Sequence, residues 1–161
     1  MILFSDTTIS FLNRIKSYAK EILQNEMKLI LKRKRFLYKG YYIPIEFVVF
    51  ENNQMLGSFD YHTYRISINK SLMFTAKSTV IKNVLRHELA HLITYVDHGA
   101  NVSAHGIEFK NICLRYGWNK EIYAASANIK TANDNIEGDL KAEKLFLKIQ
   151  KLLKLAESKN S

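Results

Sequence analysis

The tightest constraint on how this 161-residue chain can fold lies in residues 78–95, around His87-Glu88-Leu89-Ala90-His91. Ile81, Leu85, Leu89, Leu92 and Val96 step by threes and fours, which predicts a helix from about Ser78 to Tyr95 with one core-facing stripe. On such a helix His87 and His91 stand one turn apart on the same face, so both imidazoles can reach one cation at about 2.0–2.1 Å. Glu88 is rotated about 100° from His87. It can stand beside the cation without binding it, where a base acting on water belongs. Lys82, Asn83, Arg86 and Ala90 are expected on the opposite, outward side. Histidines at the border between an apolar and a polar face suit a helix that lines a cleft.

A catalytic zinc needs a third protein ligand and an open fourth position. A longer motif with Gly at 94 and His at 97 is absent, because those positions are Thr94 and Asp97. Downstream candidates are His105, which is favoured, His98 in the turn after the helix, and the acidic residues Glu108 and Glu121. His105 is expected to open a third helix, from about Ser103 to Tyr116 and closed by Gly117, and to face back toward the second. Gly106 beside it permits close backbone approach, and Phe109, Ile112 and Tyr116 continue its stripe into the core.

The rest of the chain supplies a scaffold. Residues 8–38 read as a long helix with apolar positions from Ile9 through Leu31, stopped by Gly40. Residues 45–50, 55–60 and 63–69 read as three strands, with a tight turn at Asp60-Tyr61-His62-Thr63 between the last two. Tyr61, Tyr64 and Tyr95 are candidates for donating a hydrogen bond to a developing oxyanion, and His62 sits in the turn near the expected cleft. Residues 119–139 are polar and read as a linker. Residues 140–161 read as an amphipathic helix, its leucines set among regularly spaced lysines.

Apolar residues make up 47% of the chain, charged residues 24% and aromatics 12%, which fits a globular domain and excludes a disordered or collagenous one. No apolar run approaches the roughly 18–20 residues needed to cross a bilayer. The opening Met1-Ile2-Leu3-Phe4 is broken by Ser5-Asp6, so no signal peptide and no membrane partner are expected. A single cysteine, Cys113, excludes an internal disulfide and any four-cysteine zinc ribbon. The expected compartment is cytoplasmic.

The net charge of +9 is unevenly spread: residues 1–40 hold nine bases and three acids, whereas residues 41–118 hold seven and six. Lys28, Lys32, Arg33, Lys34, Arg35 and Lys39 form the densest part. A basic patch beside a nearly neutral middle predicts a polyanionic partner, most plausibly DNA or another nucleic acid.

Taken together, His87-Glu-Leu-Ala-His91, then His105-Gly106-Ile-Glu-Phe109-Lys110 and Gly117, resemble the SprT-like zinc metallopeptidases, including the Spartan proteases. Leu56-Gly57-Ser58-Phe59 and Ile66-Ser67-Ile68-Asn69 are similar to that family's glycine-containing hairpin before the metal helix. The likeness covers roughly residues 41–118, within an expected domain of residues 1–118. It implies an α+β, zincin-like minimal metallopeptidase fold with a long N-terminal helix, a three-stranded sheet, the metal helix and a ligand-bearing third helix. It further implies Zn2+ as cofactor, His87, His91 and His105 as its ligands, and Glu88 as the catalytic base. The implied activity is hydrolysis of a protein or peptide substrate, in the Spartan branch of proteins crosslinked to DNA. The zinc ribbon of many relatives is absent. Instead Lys148–Glu157 resembles the first helix of a small bacterial domain of unknown function, which would be truncated at Ser161. Two rival readings are an HExxH peptidase that cleaves one partner regulator and a non-catalytic, zinc-stabilised adaptor that docks nucleic acid.

Overall fold

A computed structural model describes residues 6–74 and 77–123. The fold is α+β, as expected: α1 (Asp6–Glu21), a meander of β1 (Ile30–Lys32), β2 (Arg35–Tyr38) and β3 (Tyr41–Pro44), a second sheet of β4 (Glu46–Phe50), β5 (Gly57–Asp60) and β6 (Arg65–Asn69), then α2 (Ser78–His98), α3 (Ile107–Arg115) and α4 (Lys120–Tyr123).

The first helix is shorter than the pattern of residues 8–38 predicts. Its apolar stripe buries Phe11, Ile15 and Ala19, and a π-helical turn over Ile22–Glu26 buries Ile22 and Leu23. The Met27 N–H donates to the Ile22 carbonyl at 2.9 Å, and Lys28 then takes a left-handed φ of 56°. Beyond it the period changes from helical to two: Phe36 and Tyr38 are buried while Arg35 is exposed. Lys32 pairs with Arg35, Arg33 and Lys34 form the turn between them, and all four cations are exposed. Lys39 and Gly40 join β2 to β3 with φ of 49° and 83°, the paired left-handed conformation a two-residue hairpin favours. The basic segment is therefore an antiparallel meander rather than a helix.

The second sheet has the order β4-β6-β5, with β4 parallel and β5 antiparallel to β6. The expected turn joins β5 to β6, and Asp60 Oδ1 accepts the His62 N–H at 2.9 Å. Asn69 fixes the approach to β5. Its buried side chain donates to the Asn52 and Met55 carbonyls at 2.6 and 2.7 Å and accepts the Ser71 N–H at 2.9 Å.

α2 runs through the centre of the domain, against β5, α1, α3 and α4. Ile81, Leu85 and Leu89 are fully buried as expected, but so is Ala90, which the helical pattern places outside. The outward face of this helix is itself covered. Arg86 forks onto Glu26 at 2.8 and 2.9 Å, and Glu26 also accepts the Trp118 indole N–H at 2.9 Å. Lys82 reaches Glu21 at 3.1 Å. α3 begins later than expected, leaving His105 in the turn before it. α4 falls inside the stretch read as linker. The remainder of residues 119–139 and the amphipathic segment 140–161 lie outside the described residues. Among the described residues, no helix is long and apolar enough to cross a membrane.

Candidate metal centre

The helical spacing of His87 and His91 puts both rings on one face of α2, and the turn before α3 brings His105 to meet them. The three Nε2 atoms form a nearly equilateral triangle: His87 to His91 is 3.1 Å, His91 to His105 3.1 Å and His87 to His105 3.2 Å. Tetrahedral ligation at about 2.0–2.1 Å places neighbouring nitrogens roughly 3.3 Å apart, so this triangle matches one face of such a site. Among the described residues, these three histidines form the cluster able to hold a metal ion. His98, Glu108 and Glu121 are not part of it. His98 is exposed at the end of α2, and Glu121 is exposed on α4.

Tautomer and orientation follow from the neighbours. His87 Nδ1 lies 2.9 Å from the Ile122 carbonyl, which can only accept, so the proton sits on Nδ1 and the Nε2 lone pair faces the triangle. Phe109, fully buried, packs against all three imidazoles, with centroids 5.0 Å from His87, 4.4 Å from His91 and 5.2 Å from His105. Desolvation lowers the pKa of each ring, that of His87 to about 4. Neutral imidazole is the form that ligates a metal, so the desolvation of each ring, His87 being the buried one, favours the state it needs.

Glu88 is buried, and burial alone pushes its carboxyl up to about 8. A cation nearby opposes that shift. Gly57, at the start of β5, makes room for this side chain. A Cβ there would lie 3.1 Å from Glu88 Oε1 and 2.7 Å from Val84 Cγ1. Glu88 and the three histidines line one cleft of about 360 Å³, together with Phe59, Tyr61 and Tyr95. The model of the SprT-like family matches residues 24–133.

The chain belongs to the SprT-like family. No curated protein and no solved structure matches it. In this SprT-like domain the motif residues quoted from the sequence, His87, Glu88, His91, His105 and Phe109, come together in space. The Ile122 carbonyl was not legible in the sequence, because a main-chain acceptor carries no residue signature and α4 lies in a polar stretch.

The expected nucleic-acid residues divide. Lys32, Arg33, Lys34 and Arg35 line a second groove of about 620 Å³ between α1, the meander and β4, together with Lys16, Lys20 and Arg65, and the acid lining it is Glu46. Lys28 and Lys39 are outside that lining. Lys39 binds Asp97 at 3.0 Å, and Lys28 stands exposed where the first helix ends. The periodicity gave no warning that Lys16, Lys20 and Arg65 would join the basic cluster.

Proposed function

We propose that this chain is a zinc-dependent endopeptidase. The observation that carries the reading is the convergence of three imidazole Nε2 atoms within 3.2 Å of one another, beside a buried glutamate in an open cleft. Zinc, when bound, supplies Lewis-acid polarisation of the scissile carbonyl and lowers the pKa of water toward about 7. The chain's own residues do the rest. His87, His91 and His105 hold the cation. Glu88 takes the proton of the attacking water and delivers it to the leaving amine. β5 is an edge strand that lines the cleft, so an extended substrate can pair with its free side and be presented to Glu88.

The test compares zinc-loaded wild type with Glu88→Gln on an unstructured protein. The expected result is hydrolysis by wild type, and a variant that keeps its metal while losing roughly two to four orders of magnitude in rate. Retained turnover in the variant removes Glu88 from this role. A wild type that cuts nothing, yet unfolds when the metal is stripped, favours the adaptor reading. Cleavage of one partner protein but no generic chain favours the regulator-cleaving reading.

A second part of the reading concerns location. The cationic groove supports association with nucleic acid, which would hold the enzyme near DNA-bound proteins. Neutralising Lys32, Arg33, Lys34 and Arg35 together should abolish binding at low salt and flatten its salt dependence. Binding that survives the change removes this groove from the reading.

A further inference from the structure

His87, His91 and Tyr95 follow one another at four-residue steps, so the α2 face that carries two of the histidines continues directly into an aromatic ring. Tyr95 is the hub of a cluster. Tyr61 stacks on it at 5.0 Å and 30°, Tyr64 meets it edge-on at 5.8 Å, and Phe59 packs at 6.3 Å. His62 lies against Tyr61 at 4.2 Å. The hairpin that delivers these rings is held in shape. Asp60 closes its turn, and Tyr64 sits at a left-handed φ of 53°, a conformation costly for a non-glycine residue and found where the surroundings impose it.

Tyr61 remains 41% exposed despite its stacking, and it opens into the metal cleft with Phe59 and Tyr95. The segment after α2 adds the small side chains Ala100, Val102 and Ala104 to the same cleft. Apart from Glu88 and the histidines, the described lining residues carry no ionisable acid, lysine or arginine to meet a charged side chain. The cleft thus combines an aromatic wall with small, uncharged neighbours beside the reacting position.

We propose that Phe59, Tyr61 and Tyr95 form a subsite for a bulky apolar or aromatic substrate side chain next to the scissile bond. The substrate class is then an unfolded or extended polypeptide segment, since such side chains are mostly buried in folded proteins. This rests on the peptidase reading and adds to it a preference opposite to the one the basic surface alone suggests: charged residues are disfavoured at the cleft even where the partner surface attracts anions.

The test uses extended fluorogenic peptides that differ at one position, carrying Phe, Leu, Ala, Lys or Glu. Zinc-loaded wild type should show a kcat/KM roughly tenfold or more higher for Phe and Leu than for Ala, Lys or Glu. Tyr61→Ala should bring the Phe-to-Ala ratio toward one with zinc content unchanged, and Tyr61→Phe should restore it. Equal rates for Phe and Lys peptides overturn the subsite while leaving the peptidase reading intact. If no peptide is cut, the peptidase reading fails and the subsite is judged by binding. Glu88→Gln protein should hold the Phe peptide roughly tenfold tighter than the Lys peptide, and equal affinities overturn the subsite.

Discussion

Gly57 on β5 and Glu88 on α2 are in contact through the absence of a side chain. A Cβ at position 57 would stand 3.1 Å from both Cγ and Oε1 of Glu88 and 2.7 Å from Val84 Cγ1. Real Cβ atoms do not tolerate the shorter of these contacts, so Gly57→Ala must move Val84, the strand or the Glu88 carboxyl. The three atoms nearest such a Cβ belong to Val84 and Glu88, none of them to a histidine. Gly57→Ala should therefore lower peptidase kcat by roughly tenfold or more, through displacement of the carboxyl from its place in the cleft, with metal content per chain unchanged. Loss of metal in the same variant would place the damage in the helix instead and sink this account.

The choice among third-ligand candidates can be read by metal analysis of protein purified without added zinc. Wild type should carry near one zinc per chain, and His105→Ala should lose most of it. His98→Ala should match wild type, because His98 is not among the three histidines whose ring nitrogens converge. Full occupancy in His105→Ala would shift the third ligand elsewhere.

Phe109 should matter for two separable reasons. As a fully buried ring it stabilises the core, and Phe109→Ala should cost about 3–5 kcal/mol in urea unfolding. It also packs against all three imidazoles, so Phe109→Leu should recover much of that stability yet bind zinc more weakly, by roughly 10–100-fold. Wild-type zinc affinity in Phe109→Leu would confine the residue to packing.

A pH effect is expected away from the metal. Asp97, at the end of α2, accepts hydrogen bonds from the Tyr38 hydroxyl at 2.8 and 2.9 Å and from Lys39 at 3.0 Å, with Arg115 at 3.3 Å. Burial alone would raise its carboxyl, but the Lys39 and Tyr38 hydrogen bonds and the charges of Lys39 and Arg115 outweigh it and hold the pKa below the ordinary value. A carboxylate depressed in the folded state contributes stability above its unfolded pKa of about 3.9, and that contribution is lost as pH falls through the folded value. Asp97→Asn should thus destabilise by roughly 1–3 kcal/mol at pH 7, with the difference from wild type shrinking below about pH 4. A pH-independent difference would remove the charge from the explanation.

Much of the candidate site was readable because its signals are local. The spacing of His87 and His91 fixes their common face wherever the helix packs, and the apolar step from Ile81 to Leu92 fixes which side faces the core. Residues 30–38 depart from the helical expectation for a related reason: Met27, Ile30 and Leu31 keep a helical step, while the two-residue alternation of Phe36 and Tyr38 is too short to compete with it. What decides for strand there is burial of Phe36 in the core and the Tyr38 hydroxyl on Asp97, contacts separated by scores of residues. Ala90 is buried where the pattern places it outside, because periodicity describes one packed face and α2 is packed on more than one.

By itself the sequence determined the helix, the pairing of its two histidines and the position of Glu88 between them, since each follows from 3.6 residues per turn. Only the tertiary structure decided which histidine completes the triangle, that the Ile122 carbonyl sets the His87 tautomer, that Gly57 yields space to Glu88, and that three tyrosines and a phenylalanine gather beside the metal face. Those relationships join residues from different elements, and their distances are set by how sheet and helices pack, which no local spacing encodes.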